Sequence, residues 1–310
     1  MKSESHQFSV IRYPLSVAKR RAQYLMIDHW LLIAILLLMT GCASTKPAKE
    51  PSRTRVQAEQ AYDSGRAAYG RQSWAAAAAS FEKAAEAFAA VDDYAEEATA
   101  RHNHGQALRR LGKQQEALEA YEKSRVLNKR LSRKTEEAQN LDGMAASWRA
   151  LGELERAIQV LEEALPLASE SRSVRATVEN DLGLYLLQLK RKEDQARVLQ
   201  LLQSALDTNK SLGDTRALAA NHLNFGRAQL QFEQLDAAAA SLLKALELFR
   251  SLDDPRGLAT AHELLARLYR KRNDPEKAGF HAGQAREKYE FLHDDAGVKR
   301  MDSLRTEDGR

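Results

Sequence analysis

Few stretches of this chain set reactive side chains at a spacing that catalysis could use. His262-Glu263 opens like the helical pattern of zinc hydrolases, yet Ala266 stands where the second histidine would close the metal site one turn on. His102 and His104 lie two apart, so on a helix they project from different sides and cannot share one ion. There is no glycine-rich phosphate loop and no strand-turn-helix nucleophile motif. With no constellation that meets the geometry of an acid, base or nucleophile, the reading is of a protein that is not an enzyme and carries no cofactor and no metal. His104, His222 and His262 read as half-buried packing residues. What remains chemically distinctive is a spaced set of arginines and a single cysteine, Cys42.

The elements that carry the arginines are announced by three columns of small residues recurring about every 40 residues. One column holds Ala77, Ala117, Ala157, Val198, Ala238 and Ala278; a second, seven positions on, holds Ala84, Ser124, Ala164, Ala205, Ala245 and Ala285. Twelve before the first lies a third: Gly65, Gly105, Ala145, Gly183, Gly226 and Ala266, slipping only in the fourth copy, where Lys190 to Gln195 hold an insertion. Helix axes approach to about 8–10 Å only where the contact side chains are short, so these columns predict helical hairpins crossing at Gly or Ala. Leu111-Gly112, Leu151-Gly152, Phe232-Glu233 and Arg272-Asn273 mark the turns, with Gly or Asn suited to the left-handed residue that ends a helix. Second helices are expected to begin near Trp74, Gln114, Leu154, Asp194, Gln234 and Pro275, with a short helix after Asp295. Asp92-Asp93, Asp214, Asp254-Pro255, Asp274-Pro275 and Asp294-Asp295 supply the caps of helix starts, and Pro166 should kink or end its helix near Leu165.

Small residues at these offsets, with Trp148 and Tyr269 three after the small column, resemble the tetratricopeptide repeat. The 40-residue length and the joints Leu212 to Arg216 and Leu252 to Arg256 are similar to the form found in kinesin light chain and Pins-type scaffolds. The resemblance covers roughly residues 55 to 293. It implies an all-α, right-handed superhelical solenoid of about six hairpins over residues 55–293, closed by a capping helix in residues 294–310. It also implies that the first helix of each hairpin lines a groove. Positions one and four after the Gly/Ala column should then face the groove: Arg66, Tyr69, Gln106, Arg109, Ala146, Arg149, Leu184, Leu187, Arg227, Leu230, Arg267 and Arg270. Six are arginine and none is acidic, against about two basic residues expected from 47 in 310. Ordinary solvated arginines would look the same. The leucines read as an apolar floor with arginines on both sides, suited to a protein or peptide partner.

The first 54 residues are of another kind. Lys19-Arg20-Arg21 precede an uncharged run, Trp30 to Met39, too short to span a bilayer, and then Thr40-Gly41-Cys42. Leu38 to Cys42 resembles the lipobox of bacterial lipoproteins, although Met39 stands where Leu is usual. By that resemblance residues 1–41 are a signal peptide, Cys42 is lipidated as the first mature residue, and residues 42–54 tether the solenoid to the outer membrane, facing the periplasm. An uncleaved signal anchor or a buried thiol are the alternatives. The leader takes 5 of 47 basic and 2 of 43 acidic residues, so the remainder carries a net charge of +1 and composition no longer argues for nucleic acid. The expected function is a membrane-tethered interaction scaffold; the alternative is a regulatory subunit of a cell-envelope enzyme.

Overall fold

The computed structural model describes residues 52–306, and all of the described regular structure is helical. Cys42 and the leader lie outside these residues, as do positions 307–310. Among the described residues no helix is long and apolar enough to cross a membrane. Twelve helices pair in sequence. The hairpins are α1 (Arg53–Gly70) with α2 (Trp74–Ala89), α3 (Tyr94–Arg110) with α4 (Gln114–Arg130), and α5 (Lys134–Ala150) with α6 (Leu154–Leu167). They continue with α7 (Arg172–Leu189) and α8 (Gln195–Leu212), α9 (Thr215–Gln231) and α10 (Leu235–Ser251), and α11 (Pro255–Lys271) and α12 (Pro275–Phe291). A last helix, α13 (Asp295–Thr306), closes the array. Each helix packs mainly on its predecessor and successor, so the core is a run of clusters rather than one centre.

The small columns are the crossing points. Ala77, Ala117, Ala157, Val198 and Ala238 have no exposed surface, nor do Ala84, Ser124, Ala164, Ala205, Ala245 and Ala285. Four residues after the first column, Phe81, Tyr121, Leu202 and Leu242 lie directly against the glycines of the first helices. A Cβ at Gly105 would come within 2.9 Å of the Tyr121 ring, and one at Gly226 within 2.7 Å of Leu242. Aspartates cap as expected: Asp214 accepts from the Ala217 N–H at 2.9 Å, and Asp254 from the N–H groups of Arg256 and Gly257. Pro166 is tolerated two residues longer than expected. Its helix runs to Leu167, then tightens into a 3-10 turn, Ala168–Glu170, before Ser171 caps α7. The insertion of the fourth hairpin is a left-handed Lys190 followed by a 3-10 turn, Lys192–Asp194, which delays α8 to Gln195.

Candidate binding groove on the face of the first helices

The first helices α3, α5, α7, α9 and α11 form a face with two cavities of opposite character. The larger, about 1190 Å³, lies between α9, α11 and the α7–α8 joint, with Leu304 of α13 on its wall. Lys190, Arg191, Lys192, Arg227, Arg267, Arg270 and Lys271 surround an apolar surface of Leu230, Phe232 and Leu264, and Glu233 is the one acidic residue lining it. Glu263 engages Arg267 at 2.7 Å and Glu233 engages Lys271 at 3.2 Å. Arg227 forms no ion pair among the described residues; burial pushes its guanidinium below the usual range, the nearby Glu263 charge opposes this, and Arg267 and Arg149 add to it.

The smaller cavity, about 580 Å³, is polar and lies between α3, α5 and α7. Gln106, Arg109, Ala146 and Arg149 line it, as the spacing predicts. So do His102, Asp142 and Asp181, one turn nearer each helix start, and Tyr121 and Tyr185. Tyr121 belongs to a second helix, yet reaches this face through a gap between glycines. A Cβ on Gly143 would stand 2.5 Å from its Cζ. Burial pushes the phenols of Tyr121 and Tyr185 up to about 12. It pushes His102 down to about 4, the ring being held by Asn140 and Gln106 at 2.9 and 2.8 Å. Burial, with Asp181 beside it, also pushes Asp142 well above the carboxylate range, and burial raises Asp181 as well.

The remaining expected groove residues are placed differently. Arg66 is exposed, 4.0 Å from Asp63, and Tyr69 packs edge-on to Trp74 at 4.8 Å; neither lines a cavity described here. Leu187 is buried in the core, and Leu184 packs against the same cluster. The leucine floor is therefore Leu230 with Leu264, not a strip across two repeats. The slipped register of the fourth hairpin turns Asp181 and Tyr185 to the groove instead of Leu184. Nor is the face free of acid: Asp142, in the row three before the small column, and Asp181 both line it. That row reads Tyr62, His102, Asp142, Asn180, Leu223 and Glu263, and its polar character was visible in the sequence.

The zinc-hydrolase-like pair has a structural use. His262 and His281 share a buried hydrogen bond at 2.9 Å between their Nδ1 atoms, with Tyr269 stacked on His281. Glu263 accepts from Tyr289 at 2.6 Å, Arg267 at 2.7 Å and Arg300 at 3.3 Å, fastening α11 to α12 and α13. Burial alone would push Glu263 upward, but these donors and the Arg267 charge hold it below the usual range.

Residues 98–124 match the family model of the tetratricopeptide repeat. That segment is one helical hairpin of the array, and the described residues repeat its all-α architecture from end to end. Solved structures share the fold. BtubC (BKLC) from P. vanneervenii superposes with a TM-score of 0.58 at 17% identity, over 78% of this chain and 93% of that one. PilF of Pseudomonas aeruginosa gives 0.57 at 17% identity, over 81% and 99%. A Rap protein complexed with competence and sporulation factor gives 0.60 at 12% identity, over 83% and 76%. No curated protein matches the sequence.

Proposed function

We propose that this chain is a scaffold of the bacterial envelope, lipid-anchored through Cys42 to the outer membrane and facing the periplasm, that captures an acidic amphipathic segment of a protein partner. The observation that carries the reading is the basic cavity around Leu230, Phe232 and Leu264. Its half-buried Arg227 feels the Glu263 charge but makes no direct ion pair, and an incoming carboxylate would supply one in a two-pronged, charge-assisted geometry. Apolar side chains of the segment would supply most of the affinity against the leucines. The Rap complex supports the reading by precedent only, as a similar fold solved with a bound factor.

The test starts with crosslinking in intact envelopes to recover the partner. Replacing Arg227 and Arg267 by Glu is expected to weaken that partner's binding by at least about 2 kcal/mol and flatten its salt dependence. Arg267→Glu also removes a donor from the buried Glu263 and sets a like charge beside it, so the melting temperature is expected to fall, and binding is compared at a temperature where both proteins are folded. A partner bound equally tightly by the double variant, with the same salt slope, would remove this cavity from the binding surface.

A further inference from the structure

The polar cavity holds two carboxylates that no arginine pairs with directly. Buried glutamates elsewhere in the solenoid are each matched by an arginine: Glu97 by Arg101 at 2.6 Å, Glu137 by Arg125 at 3.6 Å, Glu179 by Arg175 at 2.9 Å and Glu263 by Arg267 at 2.7 Å. Asp142 and Asp181 differ, and outside this cavity Asp194 also has a buried, unpartnered oxygen. Asp142 and Asp181 come from successive hairpins to the same cavity, and Arg109 and Arg149 line it too, yet no ion pair joins either arginine to either carboxylate. Asp181 accepts one hydrogen bond, from Asn180 at 2.9 Å. Asp142 Oδ1, the Tyr121 hydroxyl and Arg109 Nε are buried with no partner within the protein. Unmatched buried acceptors of this kind cost stability, and an arrangement that keeps them suits a ligand that completes them.

We propose that the cavity between α3, α5 and α7 binds a primary ammonium group, held between Asp142 and Asp181 with the Tyr121 hydroxyl as a third acceptor. An ammonium is compact and carries three donors in no fixed plane, which matches three acceptors converging from two first helices and one second helix. A planar guanidinium is a poorer match, and among the described residues no cluster of three or more metal-ligating side chains is present. Burial together with the carboxylates' mutual repulsion opposes their ionisation, so one cation placed between them relieves both at once. Arg109 and Arg149 keep the surroundings from being strongly anionic. This site is independent of the basic cavity and of any acidic segment bound there.

The chemistry is that of a lysine side chain or of a free chain N-terminus, and small probes separate the two. The purified full-length chain would be titrated by calorimetry and by NMR of the Tyr121 and Tyr185 rings. The probes are Nα-acetyl-lysine methylamide, alanine amide, the uncharged Nα-acetyl-norleucine methylamide and Nα-acetyl-glutamate methylamide. Binding of the capped lysine in the roughly millimolar range of a fragment, with ring shifts at both tyrosines, supports a side-chain ligand. Binding of alanine amide alone supports an N-terminal one. In either case Asp142→Asn should weaken the probe at least about tenfold, the loss of one buried charge-assisted contact. Asp181→Asn serves as the second variant. The proposal fails if neither ammonium probe binds, if capped norleucine binds as well, if only the capped glutamate shifts the tyrosines, or if both Asn variants bind the ammonium like wild type.

Discussion

At the scale of single residues, the buried histidines carry a pH dependence. Burial first, and His281 next, push His262 down to about 4. The unfolded chain takes up that proton near the ordinary value of about 6.5, so the unfolded state binds more protons between the two values. Stability is therefore whole above about pH 6.5 and is lost as pH falls through that window to about 4. Each pH unit is worth about 1.4 kcal/mol, which puts the loss from His262 on the order of 3 kcal/mol. The double variant His262→Gln, His281→Gln can keep a side-chain hydrogen bond without titrating. Thermal melts of wild type and variant between pH 7 and pH 4 should show wild type falling more steeply; parallel curves would mean that His262 ionises in the folded state near its ordinary value.

At the scale of the element, the hairpin crossing decides stability. Ala157 and Ala238 have no exposed surface and sit against the partner helix, so Leu at either should overpack the hairpin and cost about 1–3 kcal/mol. Melting temperatures unchanged from wild type in both variants would refute this crossing geometry. The joints show how far local residue type was a guide. Gly112, Gly152 and Asn273 take the left-handed conformation expected of them, but so do Gln72, Asp92, Ser132 and Glu233, where a side chain makes that conformation less favourable. The geometry of the joint recurs because the stacked helices impose it, whichever residue stands there. Between hairpins, buried asparagines form links without a column in the sequence. Asn128 donates to Asn140 at 2.8 Å, and 81 residues on Asn209 donates to Asn221 at 2.6 Å. They tie the second helix of one hairpin to the first of the next, and their polarity hid them among solvated positions.

At the scale of the molecule, the described residues are a one-dimensional stack of hairpins. The proposed anchor gives a sharp expectation: intact mass of the membrane fraction should show a product beginning at an acylated Cys42, and Cys42→Ser should abolish processing and acylation. A product retaining residues 1–41, or a serine variant still processed, would end the lipid-anchor reading.

The sequence by itself determined the repeat, its 40-residue period and the helices that follow from it, because close helix crossings tolerate only small residues and the same offsets recur in every copy but the fourth. It also singled out Arg227, Leu230, Arg267 and Arg270, which one cavity brings together. Only the tertiary structure decided the rest of the face. A two-residue difference in where α7 starts relative to the 40-residue period turned Leu184 and Leu187 toward the core and Asp181 and Tyr185 toward the cavity. Gly143 lies outside every column, and its role appears only when Tyr121 arrives from another helix to lie against it. Whether a carboxylate is paired depends on reach and burial across neighbouring hairpins, and no spacing within one helix encodes that.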